Sequence, residues 1–115
     1  MKLRLQAGSL RLRLHADEVR ELAERSRLRE IIAFPASPAS PSATLDIVLE
    51  ISDAAEAIGV SFTESRLAVT LPTEQARTWL DTDLVTLATR LPVDSGELAV
   101  AVEKDLHRRR GRPGA

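Results

Sequence analysis

Hydrophobic and polar residues alternate along several short stretches of this chain. Leu10, Leu12 and Leu14 are separated by arginines, which is the spacing of a strand that buries one face. Strands are also predicted at Leu3–Gln6, Leu28–Phe34, Leu45–Ile51, Val60–Thr63, Leu67–Leu71, Leu84–Ala88 and Leu98–Val102. Two stretches change to helical spacing, and their apolar stripes are Val19, Leu22 and Ala23, and Ala76, Trp79 and Leu80. The second helix is predicted to have Thr73 as its N-cap.

The apolar positions of the two halves superimpose when the sequence is shifted by 57 places, so that Leu12 falls on Val69. Such self-similarity indicates a duplicated unit whose copies bury each other's apolar faces. We therefore predict a mainly β fold of the α+β class, a β-barrel of two ββαββ repeats with pseudo-twofold symmetry and two short helices. The predicted segments are a single barrel domain (1–107), made of repeat one (2–51, with a Pro/Ser loop at 35–43) and repeat two (58–104), and a disordered basic tail (108–115).

The composition limits the class of protein. A chain of 115 residues is long enough for one small domain with a single core. It has no cysteine, which excludes disulfides, thiolate metal sites and a cysteine nucleophile, and a cytoplasmic location is expected. No apolar run approaches the length of a membrane span, and the alternating N-terminus lacks the continuous apolar stretch of a secretory signal. We therefore expect neither membrane insertion nor export.

The net charge of −1 is distributed unevenly along the chain. Residues 1–34 carry eight basic and five acidic side chains, and residues 35–105 carry four and twelve. The last ten residues carry four arginines and no acid. The protein as a whole is therefore not expected to attract nucleic acid, but a basic face in the first repeat and the basic tail could do so.

The order of the predicted elements resembles that of the AbrB/MazE family of swapped-hairpin barrels. That family opens with a basic strand, followed by Gly-Asn-Ser, two variable positions and Val-Arg-Ile-Pro before a helix. In this chain Ser9 occupies the position of the motif serine, Leu12–Leu14 that of Val-Arg-Ile, and Leu71–Pro72 matches Ile-Pro in the second half. The family normally builds its barrel from two chains. The resemblance therefore implies both halves in one polypeptide, that is, a monomer with an internal pseudo-dimer.

The whole chain also resembles a small uncharacterised bacterial family. Its members begin with Lys-x-Arg-x-Arg-Gly-Asn-Ser-x-Arg-Leu-Arg-Leu and end their last strand with Val-Glu-Lys-Asp, which correspond here to Lys2–Leu14 and Val102–Asp105. Gly8 replaces the asparagine of the AbrB/MazE motif, and Glu64 and Thr70 stand where a DNA-binding second copy would have a neutral turn residue and an arginine. If the barrel binds DNA, the first half alone is expected to make the contacts.

Arg4, Arg11 and Arg13 form the first candidate site. On alternating strands they would make one basic face that contacts phosphates. The competing interpretation is that strands need polar residues outside, and that arginine, which outnumbers lysine fourteen to two, is the usual choice of this chain. The DNA interpretation predicts that the three side chains share one face and lack acidic partners. Three further arginines could extend this patch: Arg25, Arg27 and Arg29.

The tail carries the second candidate set, Arg109, Arg110 and Arg112. The sequence Arg-Gly-Arg-Pro around Gly111 resembles the core of an AT-hook, in which arginines enter a narrow minor groove. The competing interpretation is a disordered basic end, because chain termini vary freely. Even then, the tail could add salt-sensitive affinity for nucleic acid.

No catalytic or metal-binding set of residues is predicted. His15 is interpreted as a cap or surface residue, and a metal site is not expected without cysteines or a second histidine at ligand spacing. Asp46 and Glu50 share the solvent side of one strand, away from any evident pocket. We therefore expect a non-enzymatic protein without cofactors. It would be a DNA-binding regulator or antitoxin-like protein or, alternatively, a protein-interaction module on the same barrel that has lost DNA binding.

Overall fold

The computed structural model describes residues 1–39 and 43–105 of the chain. Within these ranges eight strands and two helices follow the predicted order, strand-strand-helix-strand-strand twice. The elements are β1 (Lys2–Gln6), β2 (Ser9–Leu14), α1 (Ala16–Arg25), β3 (Arg27–Phe34), β4 (Ala43–Ser52), β5 (Gly59–Thr63), β6 (Arg66–Pro72), α2 (Thr73–Asp81), β7 (Thr86–Val93) and β8 (Gly96–Lys104). No helix in the described part is long and apolar enough to cross a membrane.

The strands form two four-stranded sheets, and each sheet combines hairpins from both halves of the chain. Sheet A has the order β1-β2-β8-β7, and sheet B has the order β3-β4-β6-β5. The junctions between the halves, β2 with β8 and β4 with β6, are parallel, whereas the hairpins are antiparallel. The helix α1 leads from sheet A to sheet B, and α2 leads back. The first hairpin of the chain is therefore paired with the last one.

The first hairpins of the two halves have the same register. Leu3 pairs with Leu12 in one, and Val60 pairs with Val69 in the other. Both partners are thus displaced by 57 positions (60 − 3 and 69 − 12), which is the shift at which the two halves of the sequence superimpose.

One hydrophobic core lies between the inner faces of the two sheets. Its fully buried side chains include Leu12 and Leu14 from sheet A, Leu49, Val69 and Leu71 from sheet B, and Leu22 and Trp79 from the helices. The predicted burial of the helix stripes is thereby confirmed for Leu22 and Trp79. The indole Nε1 of Trp79 donates a hydrogen bond of 2.8 Å to the carbonyl oxygen of Val85, so its polar atom is satisfied inside the core.

The predicted barrel is not closed. Among the described residues, no strand of sheet A pairs with a strand of sheet B, so β1 and β7 remain edges of one sheet, and β3 and β5 remain edges of the other. A closed barrel requires each edge strand to pair with a neighbour. Here the sheets are joined instead by their shared core and by the two helices. The prediction of a mainly β fold with two short helices is confirmed.

Two local predictions are wrong. The strand predicted at Leu84–Ala88 is displaced to β7, which includes Pro92, a residue predicted to lie in a turn. An edge strand tolerates proline because its outward side needs no N–H donor. Thr73 is not the N-cap of α2, since the preceding proline occupies that position and the Thr73 hydroxyl donates to the Asp53 carboxylate instead.

Candidate functional site

The outer face of sheet A carries four basic side chains from the first hairpin. Arg4 lies directly opposite Arg11, and Lys2 lies directly opposite Arg13. All four point away from the core because the leucines between them point into it. We call Lys2, Arg4, Arg11 and Arg13 the basic hairpin face. The three arginines of the first candidate site are thus brought together on one surface.

The basic hairpin face contains two successive cross-strand pairs of like charge. Like charges placed directly opposite each other destabilise a hairpin. In the described part of the chain, neither Lys2 nor Arg4 forms an ion pair or hydrogen bond with an acidic side chain. Arg11 makes one long contact there, 3.9 Å from its Nε to Glu103 Oε2, and its side chain is 44% exposed. The mutual repulsion on this surface is therefore only partly relieved by the protein itself.

Arg13, in contrast, has a close acidic partner. Its Nε and Nη2 atoms donate hydrogen bonds of 2.9 and 2.8 Å to Glu103 Oε1 across the junction of β2 and β8. The Glu103 side chain is 13% exposed, so neighbouring groups shield the pair from water. The expectation that all three arginines lack acidic partners is wrong for Arg13, because β8 supplies a carboxylate from 90 positions further along the chain.

Strands β8 and β7 continue the outer face of sheet A with small side chains. The sheet surface beside Arg11 is formed by three small side chains, Ala99 and Ala101 on β8 and Ala88 on β7. With the hairpin they line an open cavity of about 690 Å³, whose far side is formed by Arg90 on β7. Sheet A therefore presents a shallow surface with its positive charge concentrated on β1 and β2.

The outer face of sheet B has a different charge pattern. Arg29 donates two hydrogen bonds of 2.9 and 3.0 Å to the Asp46 carboxylate, and Arg66 donates one of 2.9 Å. The hydrogen bond from Arg29 lowers the pKa of Asp46, desolvation opposes this shift, and the bond from Arg66 lowers the pKa further. The same pairing raises the pKa of Arg29. Arg29 therefore does not extend the basic hairpin face, since it lies on the other sheet with its charge compensated.

The tail arginines Arg109, Arg110 and Arg112 lie outside the described residues. The last described residue, Asp105, donates its backbone N–H to the carbonyl oxygen of Leu14 at 2.8 Å. The described chain thus ends beside the last residue of β2, one position from Arg13. Within residues 1–39 and 43–105, no three histidine or acidic side chains are grouped so that they could hold a metal ion.

The sequence from residue 1 to residue 110 matches the model of the Family of unknown function (DUF7009). The chain belongs to this family. The match spans both halves, from β1 to β8, and it confirms the predicted membership in an uncharacterised family. No curated protein and no solved structure matches the chain.

In this DUF7009 protein, the closing segment Val102–Asp105 links the two halves. Glu103 pairs with Arg13, and Lys104 Nζ lies 5.5 Å from the centroid of the Trp79 ring. The sequence alone indicates the likeness of this segment to family members but no role for it. Through these contacts, the closing segment connects β8 to the basic hairpin face and to α2.

Proposed function

We propose that this DUF7009 protein is a small non-enzymatic DNA-binding regulator or antitoxin-like protein whose basic hairpin face contacts the phosphate backbone. The observation that carries the proposal is the pair of like-charge contacts, Lys2 with Arg13 and Arg4 with Arg11. Such local conflicts in a fold are typical of functional sites, where a ligand supplies the missing charge. Phosphate suits this surface because arginine can donate two parallel hydrogen bonds to it.

The resemblance to the AbrB/MazE family supports the same proposal. We infer duplicated ββαββ repeats related by a pseudo-twofold axis, in a monomer that is a single-chain counterpart of the swapped-hairpin barrel. The equal registers of the first hairpins and the sharing of each sheet between the halves support this inference. Ser61 and Ala68 replace Arg4 and Arg11 in the second half, so we assign the DNA contact to sheet A alone.

The proposed contact includes the tail arginines Arg109, Arg110 and Arg112. The described chain ends at Asp105, whose backbone N–H donates to the carbonyl oxygen of Leu14 at the end of β2. Additional phosphate contacts from the tail would strengthen binding without adding sequence preference, because backbone contacts carry no direct base information.

A second candidate function is a protein-interaction module on the same fold. Ile32, Phe34 and Phe62 lie toward one end of sheet B on the same face of the sheet and are 41%, 48% and 68% exposed. Exposed apolar patches of this kind mark interaction surfaces in other soluble proteins. The excess of acidic residues over basic ones between positions 35 and 105 also favours a protein partner over DNA.

Fluorescence anisotropy with a labelled mixed-sequence duplex, titrated at several salt concentrations, tests the DNA proposal. Three to four phosphate contacts predict an affinity loss of about 40- to 150-fold between roughly 50 and 200 mM salt. Arg4→Gln should weaken binding several-fold, whereas the control Arg77→Gln, on the exposed surface of α2, should not. No binding at the lowest salt would refute the proposal and favour the interaction module.

A further inference from the structure

Within the described chain, Glu103 is the one acidic side chain that lies within 4.0 Å of a cation of the basic hairpin face. Its Oε1 atom is 2.8 Å from Arg13 Nη2, and its Oε2 atom is 3.9 Å from Arg11 Nε. A single carboxylate thus connects two guanidinium groups of the surface to which we assign DNA binding.

The contact occupies one edge of the Arg13 guanidinium, to which a phosphate could otherwise bind. Arg13 directs Nε and Nη2 at the carboxylate, and these donors match carboxylate and phosphate oxygens equally well. While Glu103 holds them, a ligand phosphate cannot. The corresponding parallel junction in sheet B places Glu50 opposite Thr70, so no equivalent ion pair forms there between β4 and β6. Sheet B has its ion pair at another position of this junction, between Asp46 and Arg66, so the pair at the Arg13 position is found in sheet A and not in sheet B.

We propose that Glu103 is an internal competitor of the anionic ligand and limits the affinity of the basic hairpin face for polyanions. This inference rests on the proposed DNA binding at that face. In the free protein Arg13 is occupied, Arg11 is partly screened, and Lys2 and Arg4 are available. When a phosphate binds Arg13 in place of Glu103, the Glu103 carboxylate lies close to the negative charge of that phosphate. Glu103 therefore weakens binding both by competition and by repulsion, which keeps the complex readily reversible.

Glu103→Gln tests the proposal because glutamine keeps the size of the side chain and removes its charge. We expect duplex binding about five- to tenfold tighter near 100 mM salt, with a salt dependence steeper by about one phosphate contact. Glu50→Gln is the matched control, since it removes the same charge at the corresponding position of sheet B. It should change the affinity less than about twofold, because the Debye length of about 10 Å screens charges on a distant face.

Arg13→Gln provides a second and independent measurement. Glu103 already pairs with Arg13, so the loss of the Arg13 side chain should weaken duplex binding less than the loss of Arg4. The Arg4 guanidinium has no acidic partner among the described residues. In the double variant Arg13→Gln with Glu103→Gln, the part of the gain that comes from competition for Arg13 should disappear, and only the smaller part that comes from repulsion should remain. Circular dichroism of each variant verifies that it is folded.

The results distinguish failure of the competitor role of Glu103 from failure of the proposed DNA binding. The competitor role is overturned if Glu103→Gln binds duplex no more tightly than the wild type, or if the gain in affinity is as large in the Arg13→Gln background. In either case, duplex binding by the wild type still upholds the proposed function. If Glu103→Gln does not fold, equal losses in Arg13→Gln and Arg4→Gln reject the competitor role. Failure of both the wild type and Glu103→Gln to bind duplex at low salt refutes the proposed function, and the inference with it.

Discussion

Replacement of Arg4 by glutamate separates the role of this side chain in binding from its effect on stability. Arg4 is exposed, faces Arg11 across the hairpin and has no acidic partner among the described residues. In Arg4→Glu the like-charge pair becomes a pair of opposite charges. The account therefore predicts effects of opposite sign, namely a more stable fold and weaker binding to DNA.

The expected gain in stability has two parts, the loss of repulsion and the addition of attraction. Each contributes about 0.2–1 kcal/mol in a cross-strand pair. Both side chains are exposed, so the lower part of this range applies, and we expect a total of about 0.5–1 kcal/mol. For a domain of this length the melting temperature should rise by about 2–4 °C. Binding should weaken at least about tenfold near 100 mM salt, because one phosphate contact is lost and a repulsive charge is added.

Urea unfolding measured by tryptophan fluorescence gives the stability, because Trp79 is the only tryptophan of the chain and is fully buried. Anisotropy with labelled duplex gives the affinity of the same samples. Ser61→Glu is the matched control, since Ser61 holds the corresponding strand position in sheet B and faces Ala68. It should change stability by less than about 0.5 kcal/mol. A less stable Arg4→Glu variant, or one that binds like the wild type, would contradict the reasoning.

Three further predictions concern the fold. Ser65→Gly should stabilise the protein by about 0.5–1 kcal/mol in urea unfolding, because Ser65 has a left-handed backbone with φ 65°, and unchanged stability would contradict this reasoning. Asp46→Asn should be less stable than the wild type at neutral pH. The difference should shrink below about pH 4, because a carboxylate with a lowered pKa stabilises the fold above its unfolded pKa and loses this effect as the pH falls through its folded pKa. A difference that stays constant in unfolding measurements down to low pH would exclude this role for the carboxylate. Leu12→Ala should cost about 2–5 kcal/mol in the same urea assay, because Leu12 is fully buried. Leu5→Ala, at a position that is 58% exposed, should cost less than about 1 kcal/mol, and equal losses would be inconsistent with the described core.

The sequence pattern predicted which side chains are buried much better than which strands are neighbours. Leu12 and Val69 follow an alternation that is a local property of the chain, and both are fully buried. Alternation determines the face of a strand but says nothing about the strand beside it. The pairing of β2 with β8 depends on two hairpins at opposite ends of the chain, and no local signal encodes it.

In the candidate site, too, the features set by local alternation could be predicted from the sequence, whereas those set by pairing of distant strands could not. Arg4 and Arg11 could be placed on one face from the sequence, because a turn joins their strands and the side-chain period is two. The partner of Arg13 could not, since Glu103 approaches it only through the junction of the two halves. Alternation along β4 places Asp46 on the solvent side of its strand, but the pairing of Asp46 with Arg29 and Arg66 requires three strands to be in place.

Backbone amide chemical shifts of isotope-labelled protein, recorded with and without duplex DNA at low salt, locate the DNA-binding surface residue by residue. The account predicts that the largest changes fall on β1, β2 and the end of β8 around Glu103, while the amides around Asp46 on sheet B stay in place. Changes confined to sheet B, or no changes at all, would contradict the assignment of DNA binding to the basic hairpin face.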